Sequence, residues 1–287
     1  MLEVSHVTKR YKEFTLDDIS FSLPKGYIMG CVGQNGAGKS TTINCITQLC
    51  SANEGNITVD GIHYEENPSA YKEAIGFVGD ESYFPKEMKI EDIRGIQKSF
   101  YKSFDEQKFD ALVKEFELPL KKKINDFSRG MKVKLMFVAA LSRETKLLVL
   151  DEATNGLDPV MRADILKILQ DYIAGGERSI LFSTHMLEDL EQIADYIIFI
   201  HKGKIILNET KDELLESYLL VKGDPEELTQ ENQKYMIGYT KQEFGFTALV
   251  KSNDAAYMPK DFVVDKPTID QIMIYMIREG TEKKGRI

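Results

Sequence analysis

Gly33, Gly38, Lys39 and Ser40 fall at the spacing G-x-x-x-x-G-K-[ST] within GQNGAGKST (33–41). Residues of those types at that spacing make a phosphate cradle. The glycines let successive backbone N–H groups turn inward as an anion nest, and a helix opening near Gly38 aims the positive end of its dipole at the same place. Asn35, Gly36 and Thr41 belong to the same cradle. In that chemistry Lys39 reaches the β- and γ-phosphates of a nucleotide, and the Ser40 hydroxyl ligates Mg2+. A second chemical signal follows the apolar run LLVL (147–150), which ends in Asp151 and Glu152. An aspartate at the end of a strand can hold the hydration shell of Mg2+, and an adjacent glutamate can orient a water for in-line attack on a γ-phosphate. Acids at a strand end are also ordinary solubilising caps. Their pairing with the glycine loop is what points to phosphoryl transfer.

Positioning such a site takes strands that stop at the nucleotide and helices that start there. The apolar run at 27–32 reads as a buried strand and 40–49 as a helix, the strand–loop–helix setting that the cradle needs. NITVDGIHY (56–64) reads as a hairpin around Asp60-Gly61. Up to about residue 82 the chain alternates strand-like runs with turn signals; from 85 to 141 it becomes helical and charge-rich, with KIEDIRGIQKSFYKSF, DEQKFDALVKEFEL and RGMKVKLMFVAALS as three candidate helices. After the Asp-Glu strand, Asp158-Pro159 is an N-cap followed by proline at the first helical position, opening a helix to about Tyr172. SILFSTH (179–185) is another buried strand, a helix starts at Met186, YIIFIHKGKIIL turns at Lys202-Gly203, and Thr210 with Glu213 forms a capping box.

Composition sets outer bounds. The 287 residues, 43% hydrophobic and 29% charged, suit one large domain with a small appendage. A formal net charge of −9 argues against the extended basic face of a nucleic-acid binder. Three cysteines without a CxxC pair and four scattered histidines offer neither a disulfide framework nor a metal centre. The N-terminal run has charges in every apolar stretch, and no window approaches about 18 uncharged apolar residues. The chain is therefore expected to be cytoplasmic and not to cross a membrane itself.

With NDFSRGMKVKL (125–135) between the cradle and the Asp-Glu strand, the arrangement resembles the ATP-binding subunit of ABC transporters over residues 2–215. Ser128 and Gly130 match that family's serine-glycine signature, whereas Arg129 replaces a glycine and Met131 a glutamine. Tyr11 stands where the family has an aromatic before the phosphate loop, Asn155-Gly156-Leu157-Asp158 follow Glu152, and His185 matches the switch histidine. Asp80, in GFVGDE, takes the place of a usual glutamine. The resemblance implies that adenine stacks on Tyr11 and that Ser128 and Gly130 meet ATP held by a second subunit. It implies too that His185 senses the γ-phosphate, and that Asp158 links two sites across a dimer. Asp80 could join the water shell of Mg2+ beside Ser40 and Asp151, and Arg129 could meet phosphate or an acidic partner surface.

The expected fold is therefore α/β, a P-loop NTPase of ABC type, with an antiparallel β lobe, a helical lobe inserted at about 84–143, and a small accessory domain at 218–287 after a nucleotide-binding domain at 1–217. In the accessory domain Thr268 and Gln271 cap a helix with Ile269, Ile272, Met273, Met276 and Ile277 on one face and Gly280 as its end. That face should pack on the tail's own strands or in a partner groove. The implied function is an ATPase that uses ATP and Mg2+ to power a separate membrane permease. It would work as a homodimer or heterodimer at the cytoplasmic face of the membrane, in an exporter of peptides or antimicrobial compounds. The alternative is a soluble ABC ATPase acting on ribosomes or DNA; a single compact cassette and an acidic balance weigh against it.

Overall fold

The structure is a computed structural model that describes the backbone of residues 1–282 and the side chains of residues 1–277. By internal contacts the chain forms two compact units, Met1–Asn208 and Glu209–Ile287. The first contains β1 (Leu2–Arg10), β2 (Thr15–Leu23), β3 (Ile28–Val32), α1 (Lys39–Ile46), β4 (Glu54–Val59), β5 (Ile62–His63), α2 (Pro68–Ala74) and β6 (Ile75–Val78). It continues through α3 (Ile90–Phe100), α4 (Glu106–Glu115), α5 (Arg129–Leu141), β7 (Leu147–Asp151), α6 (Pro159–Ile173), β8 (Ser179–Ser183), α7 (Leu187–Ile193), β9 (Tyr196–His201) and all but the last two residues of β10 (Lys204–Thr210).

A six-stranded sheet of order β10-β9-β3-β8-β7-β6 forms its centre, with β3, β8, β7 and β6 parallel neighbours and β9 parallel to β3. Every residue of β3 and β8 is buried, as expected of parallel strands covered on both faces. Register decides what meets at the carboxyl edge. Cys31 pairs with Ser183 and Asp151 also pairs with Ser183, so β3, β8 and β7 end side by side. The glycine loop, the run Ser183 to His185 and the Asp151-Glu152 pair thus emerge together, at the edge where open α/β sheets bind ligands.

A second, antiparallel sheet has the order β2-β1-β4-β5. Its β4–β5 hairpin turns through Asp60 and Gly61 at φ 51° and 78°, the doubly left-handed turn that suits the twist of paired strands. Between β6 and β7 lie the three expected helices, and α5 is buried from Leu135 to Leu141. Helix α2 lies where only strands and turns were expected. Asn67 caps it by accepting from the Ala70 N–H at 3.0 Å, and Pro68 occupies its first turn, so the local Asn-Pro signal for it was present.

The second unit contains α8 (Lys211–Ser217), β11 (Tyr218–Gly223), β12 (Met236–Gln242), β13 (Gly245–Lys251), β14 (Val263–Asp265) and α9 (Ile269–Glu282). Its antiparallel sheet has the order β12-β13-β11-β14. The unit starts ahead of the expected 217/218 boundary because α8 packs on β11 and on the turn at 252–257. Helix α9 lies on β12 and β13, burying Ile269, Ile272 and Tyr275, with Met273, Met276 and Ile277 partly covered. At Gly238 of β12 a Cβ would stand 2.9 Å from the Tyr275 carbonyl oxygen, so the close approach depends on glycine. The helix runs past Gly280 to Glu282; a glycine inside a helix costs only about 1 kcal/mol relative to alanine.

Candidate functional site

Gly38 is the N-cap of α1, at φ 121°, and a Cβ there would come within 3.1 Å of the Phe14 ring. A Cβ on Gly33 would stand 2.3 Å from the Ile200 carbonyl oxygen. Both glycines are thus required for the loop to fold back against β9 and β2. The loop residues Asn35, Gly36, Gly38, Lys39, Ser40 and Thr41 line one side of a cavity of about 720 Å3. Asp80, Glu152 and His185 line its other walls. Lys39 is only 5% exposed; its Nζ donates to the Gly33 carbonyl at 2.8 Å and stands 3.5 Å from Glu152 Oε1.

Glu152 adopts a left-handed backbone, φ 54°, uncommon for a side chain of this kind and the sort of strain held at functional sites. Its surroundings over-determine it. The His185 backbone N–H and Nδ1 lie 3.2 and 2.8 Å from Oε2, the Asn155 amide donates to the same oxygen at 3.3 Å, and the Glu152 N–H donates to Ser183 at 2.9 Å. Asp151 Oδ1 is buried with no hydrogen-bond partner. Burial pushes the Asp151 carboxyl up, opposed in part by the Ser40 and Ser183 hydroxyls. A buried, unpartnered carboxylate oxygen beside a serine hydroxyl fits a divalent cation.

The loop after Glu152 is anchored by a network that sequence reasoning missed. Asp189 on α7, 1% exposed, accepts from Thr154 Oγ1 at 3.0 Å and pairs with Arg162 of α6. Only the fold brings these three together. Asp189→Ala would leave Arg162, whose side chain is 18% exposed, with only the exposed Glu188 carboxylate at 3.6 Å and would free the Thr154 hydroxyl, and is expected to destabilise the fold by about 2–3 kcal/mol. Denaturant melts of the two proteins check this; a loss below about 1 kcal/mol would make the network marginal. Asp158 caps α6, accepting from the Val160 and Met161 N–H groups at 3.1 and 3.0 Å.

Ser128 caps α5, its Oγ accepting from the Met131 N–H at 3.2 Å, which leaves the hydroxyl hydrogen free to donate. A Cβ on Gly130 would sit 2.8 Å from Met161 Sδ, so glycine lets the start of α5 abut the start of α6. Neither Ser128 nor Gly130 lines the glycine-loop cavity, and Gly33, Asp151 and Asp158 lie outside its lining as well. Asp80 and Arg129, the two departures in charge, meet each other: Arg129 Nη2 donates to Asp80 Oδ1. Tyr11 is also outside the lining. Its ring lies under Lys9 Nζ at 5.5 Å and its hydroxyl donates to Cys50 Sγ at 3.8 Å, while Phe14 is the aromatic of the cavity wall. The contact of Phe14 with Gly38 gives no signal in the local sequence.

Residues 16–155 match the family model described as ABC transporter. The chain is 36% identical over 220 residues to the linearmycin resistance ATP-binding protein LnrL of Bacillus subtilis (strain 168), covering 75% of this chain and 70% of that one. With the lantibiotic transport ATP-binding protein SrtF of Streptococcus pyogenes it shares 32% identity over 215 residues, 74% of this chain and 92% of that one. A solved ATP-binding subunit of an ABC transporter superposes with a TM-score of 0.70 at 30% identity, covering 75% of this chain and 91% of that one. The fold, the cradle and these likenesses agree: the chain belongs to the ATP-binding subunits of ABC transporters and is an ATPase of that family.

Proposed function

We propose that this ATPase powers a separately encoded permease, and that two ATP-binding subunits close around two ATP molecules to do so. One observation carries the reading: Ser128 and Gly130 lie outside the cavity formed by Lys39, Glu152 and His185 of their own chain. A capped helix N-terminus with a free hydroxyl hydrogen suits the γ-phosphate of ATP held elsewhere, on a second subunit. In this reading adenine stacks on Tyr11, Asp158 links the two sites across the dimer, and His185, already paired with Glu152, hydrogen-bonds the γ-phosphate and senses its loss. Ser40 and Asp151 would hold Mg2+, which would supply charge neutralisation at the β- and γ-phosphates. Asp80 is drawn to Arg129 and is a weaker candidate for the metal's water shell. Hydrolysis removes the negative charge that binds the halves, and the dimer opens.

The permease side is supported by a cavity of about 520 Å3 beside residues 79–87, walled by Tyr83, Phe84, Pro85, Ile96, Phe100 and Tyr101. Phe100 is 76% and Tyr83 49% exposed, and neighbouring exposed aromatics on one cavity favour a protein partner there. Among the described residues no helix is long and apolar enough to cross a membrane, so attachment at the cytoplasmic face would run through the permease. Export of peptides or antimicrobial compounds follows the names of the lantibiotic and linearmycin relatives. In this reading the nucleotide-binding domain spans 1–217 and the accessory domain 218–287.

Ser128→Arg tests the shared site. It puts bulk and charge where two halves must close, so first-encounter ATP binding at Lys39 should persist while turnover falls to background. Ser128→Ala controls for the lost cap, worth about 1 kcal/mol. Wild-type activity should rise more steeply than linearly with protein concentration while monomers predominate. A fully active Ser128→Arg protein, with rates strictly proportional to concentration, would leave a monomeric ATPase in place of the sandwich.

A further inference from the structure

Asp80 and Arg129 are each poorly placed alone. Arg129 is the first residue of α5, where unpaired N–H groups and the helix dipole favour an anion and disfavour a guanidinium. Asp80 lines the cavity that must accept a triphosphate; its carboxylate has no N–H to offer and repels phosphate oxygens. Joined, each corrects the other, since Arg129 Nη2 donates to Asp80 Oδ1 across 49 residues of sequence. The same guanidinium lies 3.6 Å from where a Cβ on Gly156 would stand. One side chain of α5 therefore binds Asp80 in the cavity wall and lies beside the loop that follows Glu152. Both members are 48% exposed, so the pair contributes little to folding. Its consequences are for charge and position at the site.

We propose that Asp80 and Arg129 form a positioning pair, in which Arg129 neutralises Asp80 so that the cavity admits the polyanion, and Asp80 holds the Ser128 end of α5 at the cavity edge. The inference rests on the nucleotide reading of this site and adds to it the pairing of Asp80 with Arg129. Neither touches the reacting atoms; Arg129 acts through Asp80, and Asp80 through the helix that carries Ser128. The charges are matched to one another, so removing both should do less harm at the binding step than removing the cation alone.

The test is a double-mutant cycle on the full chain: wild type, Asp80→Ala, Arg129→Gln and the double variant. Steady-state hydrolysis and equilibrium binding of ATP with Mg2+ are measured at low and high salt, beside thermal melts. Arg129→Gln should raise KM about 5- to 10-fold by baring Asp80, an increase that shrinks in high salt as the carboxylate is screened. The double variant should bring KM back to within about twofold of wild type, because the repelling carboxylate is gone as well. Both single variants and the double should lower kcat, since each unties α5, and all four melts should coincide. A wild-type KM in Arg129→Gln, or a raised KM undiminished in the double variant, would overturn the pair while leaving the ATPase reading intact. A wild-type protein that neither binds nor hydrolyses ATP would overturn both, and the two failures are told apart by the wild-type measurement alone.

Discussion

Glu152→Gln is expected to bind ATP normally and to hydrolyse it about 10²- to 10⁴-fold more slowly, the range spanned by a positioned general base. The amide preserves the shape of the side chain and still accepts from His185, whose Nδ1 lies 2.8 Å from Oε2 in the native site. What it loses is the capacity to take up the proton of the attacking water. The left-handed backbone at φ 54° is as available to glutamine as to glutamate, so the substitution adds no strain of its own. With binding intact and hydrolysis blocked, the protein should accumulate as an ATP-bound dimer on gel filtration. Phosphate release at the wild-type rate would remove Glu152 from the chemistry and return the assignment to another wall of the cavity.

Lys39→Ala is expected to weaken ATP binding by about 10²- to 10⁴-fold. Two charge-assisted hydrogen bonds to the phosphates at about 1.5–3 kcal/mol each account for that range. The native Nζ is held by the Gly33 carbonyl at 2.8 Å and lies 3.5 Å from Glu152, groups that belong to the cavity and not to the hydrophobic core. His185 remains as a partner for Glu152 after the change. The melt should therefore move far less than the affinity does. Titration calorimetry with ATP and Mg2+ beside a thermal melt decides it, and unchanged affinity would count directly against the cradle.

Much of this site is legible in the chain because its signals are local. The glycine loop is recognised within nine consecutive residues, 33–41, and Gly33 and Gly38 prove to be positions where a Cβ would strike Ile200 or Phe14. The caps at Ser128, Asp158 and Thr210 follow from a polar side chain within three residues of the N–H it serves. Helix α2 was missed although its Asn-Pro start is equally local, because neighbouring β-rich segments outweighed a helix of two turns.

Other features were beyond local reading. Tyr11 stands at the right place in the chain for an aromatic platform, but that Phe14 is the ring lining the cavity is decided by how the chain entering β2 passes the start of α1. Asp189 looks like any acid of a helix's first turn until Arg162 and Thr154, 27 and 35 residues away, close on it.

The sequence by itself determined which loop has the form of a phosphate cradle, since a nest of N–H groups needs only a few consecutive residues with the right freedom of φ. It also determined the order of strand, loop and helix, because burial on both faces writes continuous apolar runs into the chain. Only the tertiary structure decided that Asp80 and Arg129 answer one another. An ion pair depends on where two side chains end in space, and the strand order β3-β8-β7, with the helical insert returning to the same edge, carries one to the other.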